Sequence, residues 1–379
     1  MNYSTVLHAI GWLILMLSVA CILPWATALF LGEQASLIAF SFALLLYAFF
    51  GGALVMAFRD IKKRSSKLEL LVLVASSWLS VSLLAAVPIY GAGALGSFID
   101  AYFESLSGFT TTGASVIPSL DATEKAVLIW RASLQWMGGL ATIVMGAAVL
   151  APLGVGGMEL RVSPLTRADR TRALDRFRGT AEAILGIYAS LTGAFFLVLL
   201  VSGLPAFDAF CLSLSTISTG GFTTTDAGLS GYDAPFAMWV LFFAMILGGT
   251  SFATHRSALR TGGAEYRDDP EVTYLLMVVL VGGLFLSIAA LQGTGSLRYA
   301  IASGFFTAAS LATSTGYVPP VTTGFSSLST IFVIGLVLIG GATLSTAGGL
   351  KLMRLALLLK QGGRELKRLS HPHGIIPTR

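Results

Sequence analysis

The chain has 379 residues, 55% of them apolar and only 11% charged, with a mean hydropathy of +0.81. A water-soluble domain carries about twice that charged fraction, which excludes a soluble enzyme or binding module and makes lipid the natural solvent. The net charge of +5 does not signal a nucleic-acid binder, because 21 of the 24 basic residues fall in four stretches. These run between Arg59 and Lys67, Arg161 and Arg178, Arg256 and Arg267, and Lys351 and Arg379. Basic residues confined to alternate connections follow the positive-inside pattern, which places these stretches and the N-terminus in the cytoplasm. The opposite connections are mainly acidic, with Glu33, Asp100, Glu104, Asp121, Glu124, Asp208, Asp226 and Asp233.

In chain order, apolar runs near 8–30, 36–58, 69–90, 126–151, 181–203, 234–254, 273–292 and 328–340 are expected to be spans. A span needs ~20 apolar residues, and the last run is short and ends in glycines. The first run lacks a basic leader and is read as a retained span. Three shorter apolar pieces, 97–109, 205–217 and 299–312, lie between these runs. A dozen helical residues cover roughly 18 Å, little more than half the hydrocarbon core, so each piece is expected to enter from outside and return there.

The three pieces are also copies. Residues 98–113 align with 206–221 at a shift of 108, pairing Asp100 with Asp208, Ser105 with Ser213, Ser107 with Ser215, Thr111 with Thr219 and Gly113 with Gly221. A third copy follows at a further shift of 95, pairing Ser215 with Ser310, Ser218 with Thr313 and Gly221 with Gly316. Repetition of a membrane unit is a common way to build a pathway between the copies. The expected architecture is an all-α membrane fold. It has a two-span leader (1–66) and three span–pore-helix–span units (67–160, 161–262 and 263–370), with a tail at 371–379.

Each half-helix ends in a small polar cluster: Thr110-Thr111-Thr112-Gly113, Ser218-Thr219-Gly220-Gly221 and Thr313-Ser314-Thr315-Gly316. Non-helical backbone at membrane depth is tolerated only inside protein or along a watery cavity, where its carbonyl oxygens can replace the hydration shell of a cation. Half-helices running inward also aim their partially negative C-terminal ends at the membrane centre, and an acidic outer face concentrates cations at the mouth. The competing reading is close helix packing through small residues. A second run, Gly340-Gly341-Ala342-Thr343-Leu344-Ser345-Thr346-Ala347-Gly348-Gly349 followed by Lys351, is expected to break the inner span of the third unit. It reads as an intramembrane gate with Lys351 as a local positive barrier; the alternative is close packing plus a lysine reaching back to the cytoplasm.

Other features carry less. Cys21 and Cys211 lie in apolar runs, which fits reduced buried thiols. Gly91-Ala-Gly-Ala-Leu-Gly96 matches a dinucleotide glycine pattern but precedes no soluble βαβ unit. His8, His255, His371 and His373 are too scattered for a shared metal site. The arginine cluster 161–178 is a topology determinant that can also meet anionic lipid or a cytosolic partner. Arg131, at the outer start of a span, has Asp121, Glu124 or a filter carbonyl as candidate partners. The span interiors hold almost no ionisable groups, which argues against a membrane-embedded enzyme.

Ser107-Gly-Phe-Thr-Thr-Thr-Gly-Ala114, Ser218-Thr-Gly-Gly-Phe222 and the 340–351 run resemble the TrkH branch of the Trk/Ktr/HKT potassium transporters. So do Leu134-Gln-Trp-Met-Gly-Gly139, Leu153-Gly-Val-Gly-Gly-Met158, and 360–369 with His371-Pro372. The resemblance implies potassium uptake through a filter with one key glycine per unit, here Gly113, Gly221 and Gly316. Its potassium ligands would be the carbonyls of Thr111, Thr112, Thr219, Gly220, Ser314 and Thr315. Its gate loop matches Gly340, Gly341, Ser345, Thr346, Gly348, Gly349 and Lys351.

The resemblance further implies a bacterial inner-membrane homodimer with a cytosolic nucleotide-binding subunit resembling TrkA. It implies no cofactor beyond the transported ion. Glycine at all three filter positions leans toward potassium over sodium, with a mixed sodium and potassium transporter as the alternative. The family has four units, and the fourth has no counterpart in this sequence. A separate fourth-repeat polypeptide, a shortened reading frame, or a chain that does not transport alone would each account for that difference.

Overall fold

The computed structural model describes residues 3–59, 67–147, 173–232, 234–294, 296–319 and 327–370. The arginine cluster up to Arg172, most of the first basic stretch, the Leu153–Met158 motif and the tail from His371 lie outside these residues. Among the described residues there is helix and loop but no strand.

The chain opens with α1 (Tyr3–Ala20) and α2 (Ile22–Leu31), which together form one interrupted span. Pro24 lies just past the break and has no N–H to return to Ala20, which accounts for the interruption. Helices α3 (Gln34–Ala57) and α4 (Lys67–Gly91) follow. The leader packs onto the first unit through a core that includes Phe40, Tyr47, Ala85 and Trp130. Its polar tips are satisfied there, since Tyr47 Oη donates to the Leu84 carbonyl at 2.5 Å and Trp130 Nε1 to the Ala85 carbonyl at 3.0 Å. Outward faces carry bare apolar side chains such as Phe30, Phe42 and Leu45, as a lipid-facing surface does.

The three half-helices lie where their lengths place them: α5 (Phe98–Phe109), α8 (Ala206–Ile217) and α13 (Leu297–Ala312). They alternate with α6 (Lys125–Met145), α7 (Ala173–Val201), α9 (Pro235–Gly249) and α12 (Pro270–Thr294). Glu33 and Glu124 cap each other's neighbouring helices. Glu33 accepts the Lys125 and Ala126 amides at 2.8 and 3.0 Å, and Glu124 accepts the Ser36 amide at 2.9 Å. Each carboxylate thereby satisfies N–H groups that a helix start leaves unpaired.

One expected span is divided. The apolar run 234–254 is α9 followed, after Thr250 and Ser251, by α10 (Phe252–Thr261) at 98° to it. A short turn, α11 (Glu265–Asp268), leads into α12. The break survives because distant residues satisfy its backbone. The Gly248 carbonyl accepts from Thr346 Oγ1 at 3.0 Å, the Gly249 carbonyl from the Ala342 amide at 2.9 Å, and the Phe252 amide donates to the Leu344 carbonyl at 3.1 Å. Those partners lie in the non-helical stretch 340–351, between α14 (Ser327–Ile339) and α15 (Leu352–Ser370).

Where α6 crosses the end of α5 there is no room for a side chain. A Cβ on Gly138 would lie 1.8 Å from the Phe109 carbonyl oxygen. Gly138→Ala is therefore expected to destabilise the protein by about 1–3 kcal/mol through overpacking. Gly52→Ala on α3, where a Cβ meets nothing within 4 Å, should be neutral or slightly stabilising by helix propensity. Thermal unfolding in detergent distinguishes the two, and equal midpoints would contradict the close approach.

A candidate cation pathway

The three half-helices end in the same way, hydrogen bond for hydrogen bond. The amides of Thr112, Gly220 and Thr315 donate to Ser107, Ser215 and Ser310 at 2.9, 2.8 and 2.8 Å. Those of Thr111, Thr219 and Ser314 donate to Gly108, Thr216 and Leu311 at 3.0, 2.9 and 3.0 Å. This double closure is a Schellman cap, which requires a left-handed residue. Thr111, Thr219 and Ser314 supply it with φ of 56°, 52° and 54°. A side chain there costs about 1–2 kcal/mol relative to glycine, and such strain gathers at functional sites. Two residues on, Gly113, Gly221 and Gly316 have φ of 79°, 81° and 82°, a region natural to glycine alone. The Thr–Gly stretches are thus neither helical nor packed as helices.

The caps absorb the last helical carbonyls but leave those of the loops. Among the described residues, nothing donates to the carbonyls of Thr111, Thr112, Thr219, Ser314 or Thr315. Gly220 is the exception, since its carbonyl accepts from Gln135 Nε2 at 2.7 Å. The loops also stand side by side. A Cβ on Gly113 would lie 2.2 Å from the Gly220 oxygen, and one on Gly221 would lie 2.0 Å from the Thr315 oxygen. Gly316 meets nothing within 4 Å among the described residues. The nine filter positions named from the sequence are therefore brought together as three adjoining loops, with no described residue within 4 Å of a Cβ on Gly316.

The junctions have different braces. Between the second and third loops, Tyr317 Oη lies 3.1 Å from Ser215 Oγ and 3.2 Å from Thr216 Oγ1, while Ser310 Oγ donates to the Tyr317 carbonyl at 2.8 Å. Between the first and second loops stands Arg131. Its partner is none of the three candidates named from the sequence. Arg131 Nε pairs with Glu104 Oε1 at 2.6 Å, with both side chains buried. Nη2 donates to Ser115 Oγ at 3.0 Å, and the guanidinium lies 4.0 Å from the centroid of the Phe222 ring. Glu104 also accepts the Val116 amide at 2.9 Å.

Glu104 is consequently not part of an acidic mouth. It points inward from α5, nearly two turns before Thr110, and only the fold shows that. Several other outer acids are also engaged. Asp208 accepts from Thr224 Oγ1 at 2.5 Å. Asp226 accepts from Ser119 Oγ at 2.6 Å and the Leu120 amide at 2.5 Å, tying the segments that follow the first two filters. The Ser119 and Leu120 bonds hold the Asp226 carboxyl below the ordinary carboxylate range, so this tie persists until the pH falls through that lowered pKa. Asp100 and Asp121 remain exposed.

The stretch 340–351 lies against the filter loops. Thr346 Oγ1 also lies 3.1 Å from the Ile217 carbonyl oxygen and accepts from Thr219 Oγ1 at 3.2 Å. The Gly348 amide donates to Ser314 Oγ at 2.6 Å. The stretch is pinched at its neck, where a Cβ on Gly340 would lie 2.1 Å from the Gly348 oxygen and one on Gly349 would lie 2.5 Å from the Gly340 Cα. Ser345 and Thr346 are buried, and Gly341 packs against Ala347. Lys351, at φ 73°, turns its ammonium back onto the Ser345 and Ala347 carbonyls. Glu271 at the start of α12, which the sequence did not single out, accepts both the amide and the hydroxyl of Thr343 at 3.0 and 2.7 Å.

The TrkH family, described as cation transport protein, matches residues 36–379. The chain belongs to that family. The Trk system potassium uptake protein TrkH of Salmonella typhimurium is 33% identical over 382 residues, covering 99% of this chain and 78% of its own length. The protein of the same name from Halomonas elongata is 33% identical over 390 residues, covering 100% and 79%. The crystal structure of the potassium transporter TrkH from Vibrio parahaemolyticus superposes with a TM-score of 0.88 at 31% identity, covering 100% of this chain and 79% of that one. The TrkH family comprises membrane transport proteins, not enzymes, and the all-helical fold described above is of that kind.

Removing Arg131 strands a buried carboxylate. Arg131→Met is expected to cost about 3–5 kcal/mol, whereas Arg131→Met with Glu104→Met should recover much of it, because an apolar pair avoids the desolvation cost. Thermal unfolding of the purified variants measures both. A double variant no more stable than the single one would contradict the pairing.

Proposed function

We propose that this chain carries potassium into the cell through the ring of backbone carbonyls at Thr111, Thr112, Thr219, Gly220, Ser314 and Thr315. The carrying observation is the set of loop carbonyls without a protein donor, gathered at adjoining half-helix ends. Backbone carbonyls at membrane depth need a partner, and a dehydrated cation supplies one. Glycine at Gly113 and Gly221 lets the neighbouring loops approach closely, and glycine at all three positions, Gly316 included, favours potassium over sodium. Potassium uptake is also what the names of the relatives describe.

The open space at Gly316 among the described residues supports a further part of the reading. A fourth loop, contributed from beyond these residues, stands between the third loop and the first and closes the ring. The bacterial inner membrane, a cytoplasmic N-terminus, a homodimer and a cytosolic nucleotide-binding subunit complete the proposal. Four basic stretches on one side provide the charge for the orientation and for contact with anionic lipid.

The stretch 340–351 acts as the gate. It bonds to the second and third filter loops, to the α9–α10 break and to Glu271, so its displacement opens the inner end of the pathway. Lys351 holds the closed loop by its own carbonyls and adds positive charge beneath the filter.

Potassium-limited growth of a transport-deficient host, with the fourth unit co-expressed, tests the filter. The unaltered chain should support growth and Gly113→Asp should not, because a side chain there collides with the neighbouring loop. Equal growth of the two at equal membrane abundance would overturn the filter role. Deleting 342–348 should raise leak flux in proteoliposomes, and unchanged flux would remove the gate.

A further inference from the structure

The second filter loop departs from the other two in a way that the helix beside it explains. In the first loop Thr110 Oγ1 and Thr112 Oγ1 lie 2.7 Å apart, and in the third loop Thr313 Oγ1 and Thr315 Oγ1 lie 2.8 Å apart. Each hydroxyl pair spans the left-handed residue and staples the loop to the end of its own half-helix. The second loop has Ser218 and Gly220 at these positions, so it has no second hydroxyl with which to close the same staple. The Gln135 side chain on α6 stands there instead. Its Nε2 donates to the Gly220 carbonyl at 2.7 Å and its Oε1 accepts the Phe222 amide at 3.3 Å, so the amide grips the loop on both sides of Gly221. Gln135 is fully buried. A Cβ on Gly220 would lie 2.3 Å from its Cδ, so the glutamine fills the space that a threonine side chain takes in the other loops.

We infer that Gln135 is a positioning residue for cation discrimination: its amide replaces the missing hydroxyl staple and sets the reach of the second filter loop. The inference rests on the filter reading and adds that one loop is held by a neighbouring helix, not by itself. Two consequences separate it from simple packing. Gly220 is glycine because of Gln135, so the two positions are exchangeable only together. The amide also acts by donating and accepting at once, so an isosteric side chain with the wrong protons does not serve.

The test compares potassium and sodium uptake in proteoliposomes containing the chain with its fourth unit. Gln135→Ala should lower the potassium-to-sodium ratio about fivefold to tenfold, the scale of one or two lost hydrogen bonds. Gly220→Thr alone should abolish uptake, because its side chain meets the glutamine. Gln135→Ala combined with Gly220→Thr should restore the ratio toward the starting value, since Ser218 and the new hydroxyl can close the staple used elsewhere. Gln135→Glu should discriminate poorly at about pH 8 and recover at about pH 5.5, where a protonated carboxyl can again donate to Gly220.

A ratio unchanged by Gln135→Ala overturns the inference, as does a double variant no better than either single one at equal membrane abundance. Should Gln135→Ala fail to accumulate, recovery of both accumulation and ratio in the double variant supports the inference, and failure of both counts against it. An unaltered chain that does not discriminate at all overturns the potassium reading itself, and the inference with it.

Discussion

A backbone carbonyl in the middle of a membrane has to be given a partner. Three helices in this chain stop halfway across, and each stop releases carbonyls that no continuing helix absorbs. The Schellman caps at Thr111, Thr219 and Ser314 consume the helical ones and turn the chain sharply. What remains is a short segment of unsatisfied oxygen in each unit. Close packing of small residues would have hidden those oxygens against other protein groups, as small-residue helix contacts do. Among the described residues nothing hides them in that way, and the proposed pathway rests on that contrast.

The same constraint shapes the interior next to the three loops. The break between α9 and α10 and the stretch 340–351 are each unsatisfied alone, and each supplies what the other lacks. Two irregular segments can therefore coexist at depth while remaining separable, because the bonds between them are few and the neck at Gly340 and Gly349 is already bent. Buried polar side chains do the remaining work. Arg131 with Glu104, Tyr317, Gln135 and Glu271 each link segments distant in sequence, and each brings enough donors and acceptors to satisfy the groups it meets.

Much of this was legible in the sequence because it depends on length and repetition. A dozen apolar residues between two spans cannot cross, and α5, α8 and α13 begin and end within about two residues of the expected pieces. Three clusters at matched shifts marked Gly113, Gly221 and Gly316, each of which has a positive φ two residues beyond the left-handed cap residue. Partners across the fold were not legible. Glu104 read as a mouth acid because it lies on an outer connection, yet helical phase turns it toward Arg131. The run 234–254 read as one span because hydropathy is blind to a break whose bonding partners lie about ninety residues away. Gln135 lay within a noted motif, but its target, Gly220, was visible only once α6 stood beside the second loop.

The central claim is that the loop carbonyls coordinate a dehydrated monovalent cation. Anomalous diffraction from crystals grown with thallium in place of potassium tests it most directly. The account predicts an anomalous peak on the axis shared by the carbonyls of Thr111, Thr219 and Ser314, weakened by competing potassium. Thallium bound elsewhere on the protein, with no peak on that axis, would contradict it.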